Sequence, residues 1–392
     1  MMQVARLYSD QRHNVVVNTI PAKPDIRGFS LVEVMVALVI GLIITAAVVK
    51  IFTMSKATYG LEEGLARVQE NGRFAIEFLS HDIRMAGYSG CNSKLALTDA
   101  SEVGNIAQTT PPTTAASFNP DGIKGYTHTC AGGCTGALSE WTPALPSDYK
   151  FTAGEVKPGT DVIIIQSGSS LSTHLTGNTT PNNANIQILG TADIAGQIQA
   201  GDIVMVSDCK AADIFRASGV SNNTDPITIS HANNVNTGTN LTHNYGNDAE
   251  LMKLVSTAYY IGTGASGQPA LFRRTLAVTT GDPDVLPQEL VEGVEMMKFL
   301  FGEDTTPNAD GTPDIYRTQA NGVVNWRRVV AVRVGIVVKS LSDVDVDQGI
   351  QGMDTKIYEV LGDTAAGYDD YNPPDDHRRR RVFNSTIQVR NR

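Results

Sequence analysis

The residues best placed to do chemistry sit in the stretch Gly28-Phe29-Ser30-Leu31-Val32-Glu33. Glu33 is the only charge in an apolar run, 29–49, that is long enough to cross a bilayer. An ionised carboxylate at bilayer depth costs several kcal/mol. The run ends in Val48-Val49-Lys50-Ile51-Phe52, which lacks the small residues of a secretory cleavage site. The Gly28-Phe29 junction lies before it. Hydrolysis there would leave the apolar segment on the mature chain and create an α-amino group on Phe29, cationic near neutral pH. A cation in lipid needs a partner. Glu33 lies one helical turn away and can meet the amine of a neighbouring subunit in a packed bundle. The carboxylate is also favourable near a helix N-terminus, where the macrodipole is positive. The plain alternative is a signal anchor that carries an acid by chance.

The remaining candidates are weaker. Four cysteines, Cys91, Cys130, Cys134 and Cys209, all follow the apolar run. An even number on one side of a membrane suits an oxidising compartment. Of the three pairings, Cys130–Cys134 and Cys91–Cys209 are expected, the second tying the end of the N-terminal helix to a core strand; buried free thiols are the alternative. The segment "CAGGC" has no histidine or second cysteine pair at zinc-ligand spacing. In "EDTTPNADGTPD" (303–314), Asp304, Asn308, Asp310 and Asp314 offer oxygen ligands around Gly311, which resembles a worn calcium loop. A solvated acidic turn fits the same residues. "GTGASG" (262–267) matches a dinucleotide fingerprint, but Pro269 and strand-like "ALFRR" follow it, so a hairpin turn is expected. The seven histidines are scattered, and no H-E-x-x-H, G-x-S-x-G or P-loop occurs. A net charge of −10 argues against general nucleic-acid binding. "HRRRR" (377–381) is read as an edge strand whose charges block unwanted pairing.

The elements that must position these residues begin with a helix. No proline occurs between Phe29 and Met85. Leu61, Leu65, Val68, Ala75, Leu79 and Ile83 recur at helical spacing, charged residues fill the other positions, and Gly87 and Gly90 end the pattern. The result is a spine of some fifty-odd residues, on the order of 80 Å at 1.5 Å per residue. Beyond Cys91 strands and loops take over. "DVIIIQSG" (161–168) and "GDIVMVSD" (201–208) read as buried strands, and "AYYIGTGASGQPALFRR" as a hairpin. "RRVVAVRVGIVVKS" alternates, with Val330, Val332, Val334, Ile336 and Val338 on one face, and "RRRRVFNSTIQVRN" is the last strand. The Asn/Thr/Gly-rich stretches 176–185 and 221–247 read as long loops poor in core residues. With no strand–helix–strand alternation, the head is expected to be largely antiparallel.

"RGFSLVEVMVALVIG" resembles the class III signal of type IV prepilins and type II secretion pseudopilins: Gly, then Phe, then Glu as fifth residue of the mature chain. Gly28, Phe29 and Glu33 match residue by residue. The resemblance implies that a prepilin peptidase cuts after Gly28 and methylates the Phe29 amine. The leader is long for the family. Farther on, "DIRMAGYSGC", "GDIVMVSDCKAADIF", "YYIGTGASGQPALFRR", "VEGVEMMKFLFGED", "WRRVVAVRVGIVVKS" and "RRVFNSTIQVRNR" together resemble the PilW-type minor pilins, although 92–158 shows no such match.

The fold expected is therefore α+β and pilin-like: a long N-terminal α-helical spine, membrane-spanning in its first half, packed on a largely antiparallel β-rich globular head. The divisions are a cleaved leader (1–28), a transmembrane half-spine (29–50), an amphipathic half-spine (51–90) and a periplasmic or extracellular head (91–392). The resemblance implies a non-enzymatic minor pilin that joins others in a tip or initiation complex and primes pilus assembly. Its partners would be a prepilin peptidase, other minor pilins, the major pilin, the inner-membrane assembly platform and a tip adhesin. It would rest in the inner membrane before assembly and at the pilus tip afterwards. No cofactor is expected apart from calcium at the acidic loop. A type II secretion pseudopilin has the same spine, and a membrane-anchored periplasmic enzyme or binding protein is the rival from another class.

Overall fold

A computed structural model describes residues 28–88, 90, 103–105, 121–130, 134–145, 151–177, 179–222, 225–275, 286–307, 310–320, 322–323, 325–341, 354–362 and 370–390. The chain divides into two units after Ser55. One helix, Leu31–Met85, supplies the described structured part of the first unit and opens the second. Ser30 caps its start, its Oγ accepting from the Glu33 N–H at 3.1 Å. Gly87 ends it at a φ of 72°, a left-handed conformation that glycine adopts without a Cβ clash. The N–H of Gly87 then turns away to the Gln166 carbonyl at 2.8 Å.

In the second unit the helix buries the face the periodicity predicts. Val68, Ala75, Leu79 and Ile83 enter the main core, where they meet Ile163, Ile165, Tyr259 and Ile261 from one sheet and Met297, Phe299, Val334 and Ile336 from another. Gly72 lies in the same row. A Cβ there would stand 2.3 Å from the Phe383 ring, so the absent side chain lets the helix approach the last strand. Tyr259 donates its hydroxyl to Asp82 at 2.5 Å and fixes the helix axially.

The larger sheet centres on the strand Glu250–Thr263, antiparallel to Asp161–His174, to Ile203–Ser207 and to Pro269–Thr275. A short parallel pairing, Val103–Asn105 with Ala212–Arg216, departs from the antiparallel pattern. The second sheet runs in the order Ile315–Arg317, Val294–Glu303, Val329–Lys339, Arg380–Gln388, all antiparallel. The fold is thus a long N-terminal apolar helix with an antiparallel β-rich head. "GTGASG" turns the hairpin between Glu250–Thr263 and Pro269–Thr275, with no helix after it.

Three parts of the head differ from the sequence reading. The described residues of 176–185 are turn and loop, but 221–247 carries core residues: Ile227, Ile229, Leu241 and Tyr245 are buried in a second cluster with Ile186, Ile188 and Phe215. Short strands Ile186–Ile188, Gly219–Val220 and Ile227–Ser230 form a sheet of their own. Polar side chains tie the rest of the 221–247 stretch to the strand Ala212–Arg216. Buried Asn236 accepts from the Arg216 N–H at 2.8 Å and donates to the Arg216 carbonyl at 2.9 Å, while buried Asp213 accepts the Tyr245 hydroxyl at 2.8 Å.

The strand Val329–Lys339 is buried on both faces rather than one. Tyr358, Val360 and Leu361 cover its second side, and a Cβ on Gly335 would lie 2.4 Å from the Val360 carbonyl oxygen. The arginine run is not simply an outward-facing edge. Arg380 has a fully buried side chain and pairs with Glu295 at 2.7 Å, Asp376 at 2.6 Å and Asp354 at 3.1 Å. Arg378 donates to the carbonyls of Ser340 and Leu341, leaving Arg379 and Arg381 as the exposed members. Burial alone would raise Glu295, but hydrogen bonds from Arg380 and the nearby lysines bring its carboxyl below its ordinary range. Burial pushes the Lys157 ammonium beside it down to about 8, against the pull of Glu295.

Candidate assembly site

Gly28, Phe29 and Ser30 precede the helix as exposed, non-helical backbone, with Phe29 81% accessible. The Gly28-Phe29 bond lies in this exposed, non-helical segment. Ser30 and Glu33 stand in S-x-x-E relation, the spacing of a capping box. Ser30 is a residue the sequence reading passed over, although that spacing signals it. The cap fixes where the helix begins, so Phe29 and the Glu33 carboxylate flank a defined first turn.

From Leu31 to Lys50 every residue is exposed in the single chain, and the helix passes as one membrane-spanning candidate with a mean hydropathy of 2.7 in its most apolar window. The large apolar residues of this stretch, Leu31, Leu38, Leu42 and Ile43 among them, are exposed, as a lipid-solvated helix allows. Thr45 returns its hydroxyl to the Gly41 carbonyl at 2.8 Å, which keeps the polar group satisfied in an apolar surrounding. Beyond the span, Phe74 and Phe78 lie one turn apart on the helix and stay 47% and 40% exposed. With Asn71, Leu290, Val291 and Leu341 they line an open groove of about 460 Å³. Asn71 closes its floor by donating to the Glu292 carbonyl at 3.0 Å.

The other expected sites fall differently. Cys130 and Cys134 form a disulfide. Cys209 is also disulfide-bonded, while Cys91, its expected partner, lies outside the described residues. In the acidic loop, buried Asp304 accepts from the Gly311 N–H at 2.9 Å and from Thr306 Oγ1 at 2.8 Å. Asp314 accepts from the Thr305 N–H at 2.7 Å, and Asp310 from the Thr312 N–H at 2.8 Å. These carboxylates cap their own turn, and Asn308 lies outside the described residues. Burial would raise Asp304, but these donors and Arg328 hold it below the usual carboxylate range.

A long N-terminal apolar helix with a capped, acidic first turn, followed by an antiparallel β-rich head, defines a pilin-like protein. Residues 23–49 match the prokaryotic N-terminal methylation motif, and residues 258–391 match the family described as Type IV Pilus-assembly protein W. Two separate stretches of the chain are thus similar to type IV pilus proteins: the N-terminal motif and the C-terminal third. Among solved structures, a type IV-like pilin from Thermus thermophilus aligns at 18% identity over 36% of this chain and 69% of that one, with a TM-score of 0.24. No curated protein matches.

Proposed function

We propose that this chain is a minor pilin which, after cleavage behind Gly28 and methylation of the Phe29 amine, co-assembles with other minor pilins into a type IV pilus tip or initiation complex. The observation that carries the reading is the first turn: an exposed Gly28-Phe29 junction, a Ser30 cap and Glu33 three residues on, at the head of a helix with no buried residue in its apolar window. The role is structural. Each subunit offers one amine and one carboxylate, and apposing the carboxylate with the amine of another subunit offsets the cost of both in lipid. Exposed Phe74 and Phe78 supply further apolar surface beyond the span for a neighbouring pilin helix. The partners proposed are a prepilin peptidase, other minor pilins, the major pilin, the inner-membrane platform and a tip adhesin. Before assembly the protein rests in the inner membrane, and afterwards at the pilus tip.

The test is complementation of a deletion strain. Glu33→Val should insert in the membrane at least as well as the wild type and yet fail to restore pili. Normal pilus number with Glu33→Val overturns the amine-pairing account. The match at 258–391 favours the pilus over type II secretion. A deletion strain that keeps its pili and loses secretion would reverse that choice. Calcium at Asp304, Asn308, Asp310 and Asp314 is proposed as an accessory ligand that must replace the turn's own hydrogen bonds. The protein should then melt higher in millimolar calcium than in chelator, with Asp310→Ala abolishing the difference. An unchanged melting temperature returns the loop to a self-capped turn.

A further inference from the structure

The disulfide hairpin brings together more than two sulfurs. The strand Ile123–His128 pairs with Trp141–Thr142, with His128 opposite Trp141 and Thr127 opposite Thr142. That register sets His128, two residues before Cys130, beside Glu140, the residue before Trp141. One ligand atom each from His128, Cys130, Cys134 and Glu140 all lie within 4.8 Å of one another. Contiguous spacing in "CAGGC" conceals this set, because the fourth member arrives through strand pairing.

Two further observations point to a ligand. His128 is 4% exposed, and its Nδ1 is buried without a hydrogen-bond partner, while Nε2 stands 3.7 Å from Glu140 Oε2, beyond hydrogen-bonding distance. The ring is held by stacking on Trp141, with centroids 4.6 Å apart. The Glu140 carboxylate is also pre-oriented: Oε1 accepts from the Thr135 N–H and hydroxyl, each at 2.8 Å, and Oε2 from the Gly136 N–H at 3.1 Å. Outer hydrogen bonds of this kind orient a ligating carboxylate.

We propose that the dithiol form of this hairpin is a zinc site, with the Cys130 and Cys134 thiolates, the His128 imidazole and the Glu140 carboxylate taking one Zn²⁺. Two soft sulfurs, one nitrogen and one oxygen suit a tetrahedral zinc. The disulfide consumes both sulfurs, so the metal-bound and oxidised states exclude one another. Passage between them balances through thiol–disulfide exchange. An external dithiol gives two electrons and two protons to the Cys130–Cys134 bond and leaves as its own disulfide; zinc then displaces the two thiol protons. The dithiol state is the one every newly made chain passes through, and zinc would hold the hairpin in its paired register until oxidation.

The full-length chain in detergent, reduced with a phosphine that is then removed, should be titrated with cobalt and then zinc. The reduced wild type should take one cobalt through this site, with thiolate-to-cobalt charge-transfer absorption that zinc abolishes, and the oxidised protein should show none. Cys130→Ser with Cys134→Ser should remove the signal while leaving Cys91 and Cys209 in place. His128→Ala and Glu140→Gln should each weaken binding by at least about tenfold, the lower end of what loss of an outer partner alone causes. Because buried His128 also supports Trp141, a variant-free readout accompanies it: zinc should slow alkylation of Cys130 and Cys134 in the reduced wild type at least about tenfold, by the same reasoning. The proposal is overturned by cobalt bands that survive the double serine variant, by a reduced wild type that binds none, or by alkylation indifferent to zinc.

Discussion

Arg380→Met tests how the last strand is held. The guanidinium makes five hydrogen bonds to three carboxylates, those of Glu295, Asp354 and Asp376. After its removal the three acids fare differently. Asp354 and Asp376 retain 14% and 23% side-chain exposure and can reach water, whereas Glu295, at 2%, cannot. Lys339, 3.7 Å from Glu295, and the nearby Lys157 ammonium remain only as partial counter-charges. Breaking a buried pair on one side costs about 3–5 kcal/mol, chiefly as the uncompensated charge left behind. With m near ~3 kcal/mol/M, the urea midpoint should fall by roughly 1–2 M. Both tryptophans, Trp141 and Trp326, lie in the head and report the transition by fluorescence. Glu295→Met in the Arg380→Met background should cost less than the two single changes added together, by about 1–3 kcal/mol, because it removes the stranded carboxylate. A loss below about 1 kcal/mol for Arg380→Met, or strict additivity, refutes the reasoning.

Three further outcomes follow from the same structure. Glu295 and Asp376 have depressed folded-state values, so their stabilisation is present above their ordinary values of 4.5 and 3.8 and is lost as pH falls through the depressed ones; urea midpoints should drop from about pH 4.5 downward, and a flat profile to pH 3 contradicts this. Gly335→Ala forces a Cβ against the Val360 carbonyl and should destabilise by about 1–3 kcal/mol, where a neutral effect in thermal melting would show that the covering segment yields freely. Non-reducing peptide mapping should join Cys91 to Cys209; a Cys91 peptide linked to Cys130 or Cys134 would overturn that pairing.

The sequence was most legible where local pattern and tertiary burial agree. Val68, Ala75, Leu79 and Ile83 lie at helical spacing and enter one core, so the spine could be read directly. Gly87 marks its end because only the local backbone decides a helix stop. Legibility failed where a residue's role depends on a distant partner. Alternation marked Val332, Val334, Ile336 and Val338 as inward, but could not show that Val360 and Leu361 cover the opposite face. Arg380 looked like an edge charge because Glu295 is 85 positions away. The 221–247 stretch looked like loop because much of it is held by side chains rather than by a ladder, Asn236 on the Arg216 backbone and Tyr245 on the distant Asp213. At the assembly site, Gly28, Phe29 and Glu33 were visible as residue types at fixed spacing, whereas the Ser30 cap needed the helix start to be located.

The most direct measurement is the intact mass and N-terminal sequence of the protein recovered from membranes of the organism that encodes it. The account predicts a chain beginning at Phe29, heavier by one methyl group on its α-amine, and a Gly28→Val precursor that stays uncut. A mature chain that begins at Met1, or beyond Val49, would contradict it.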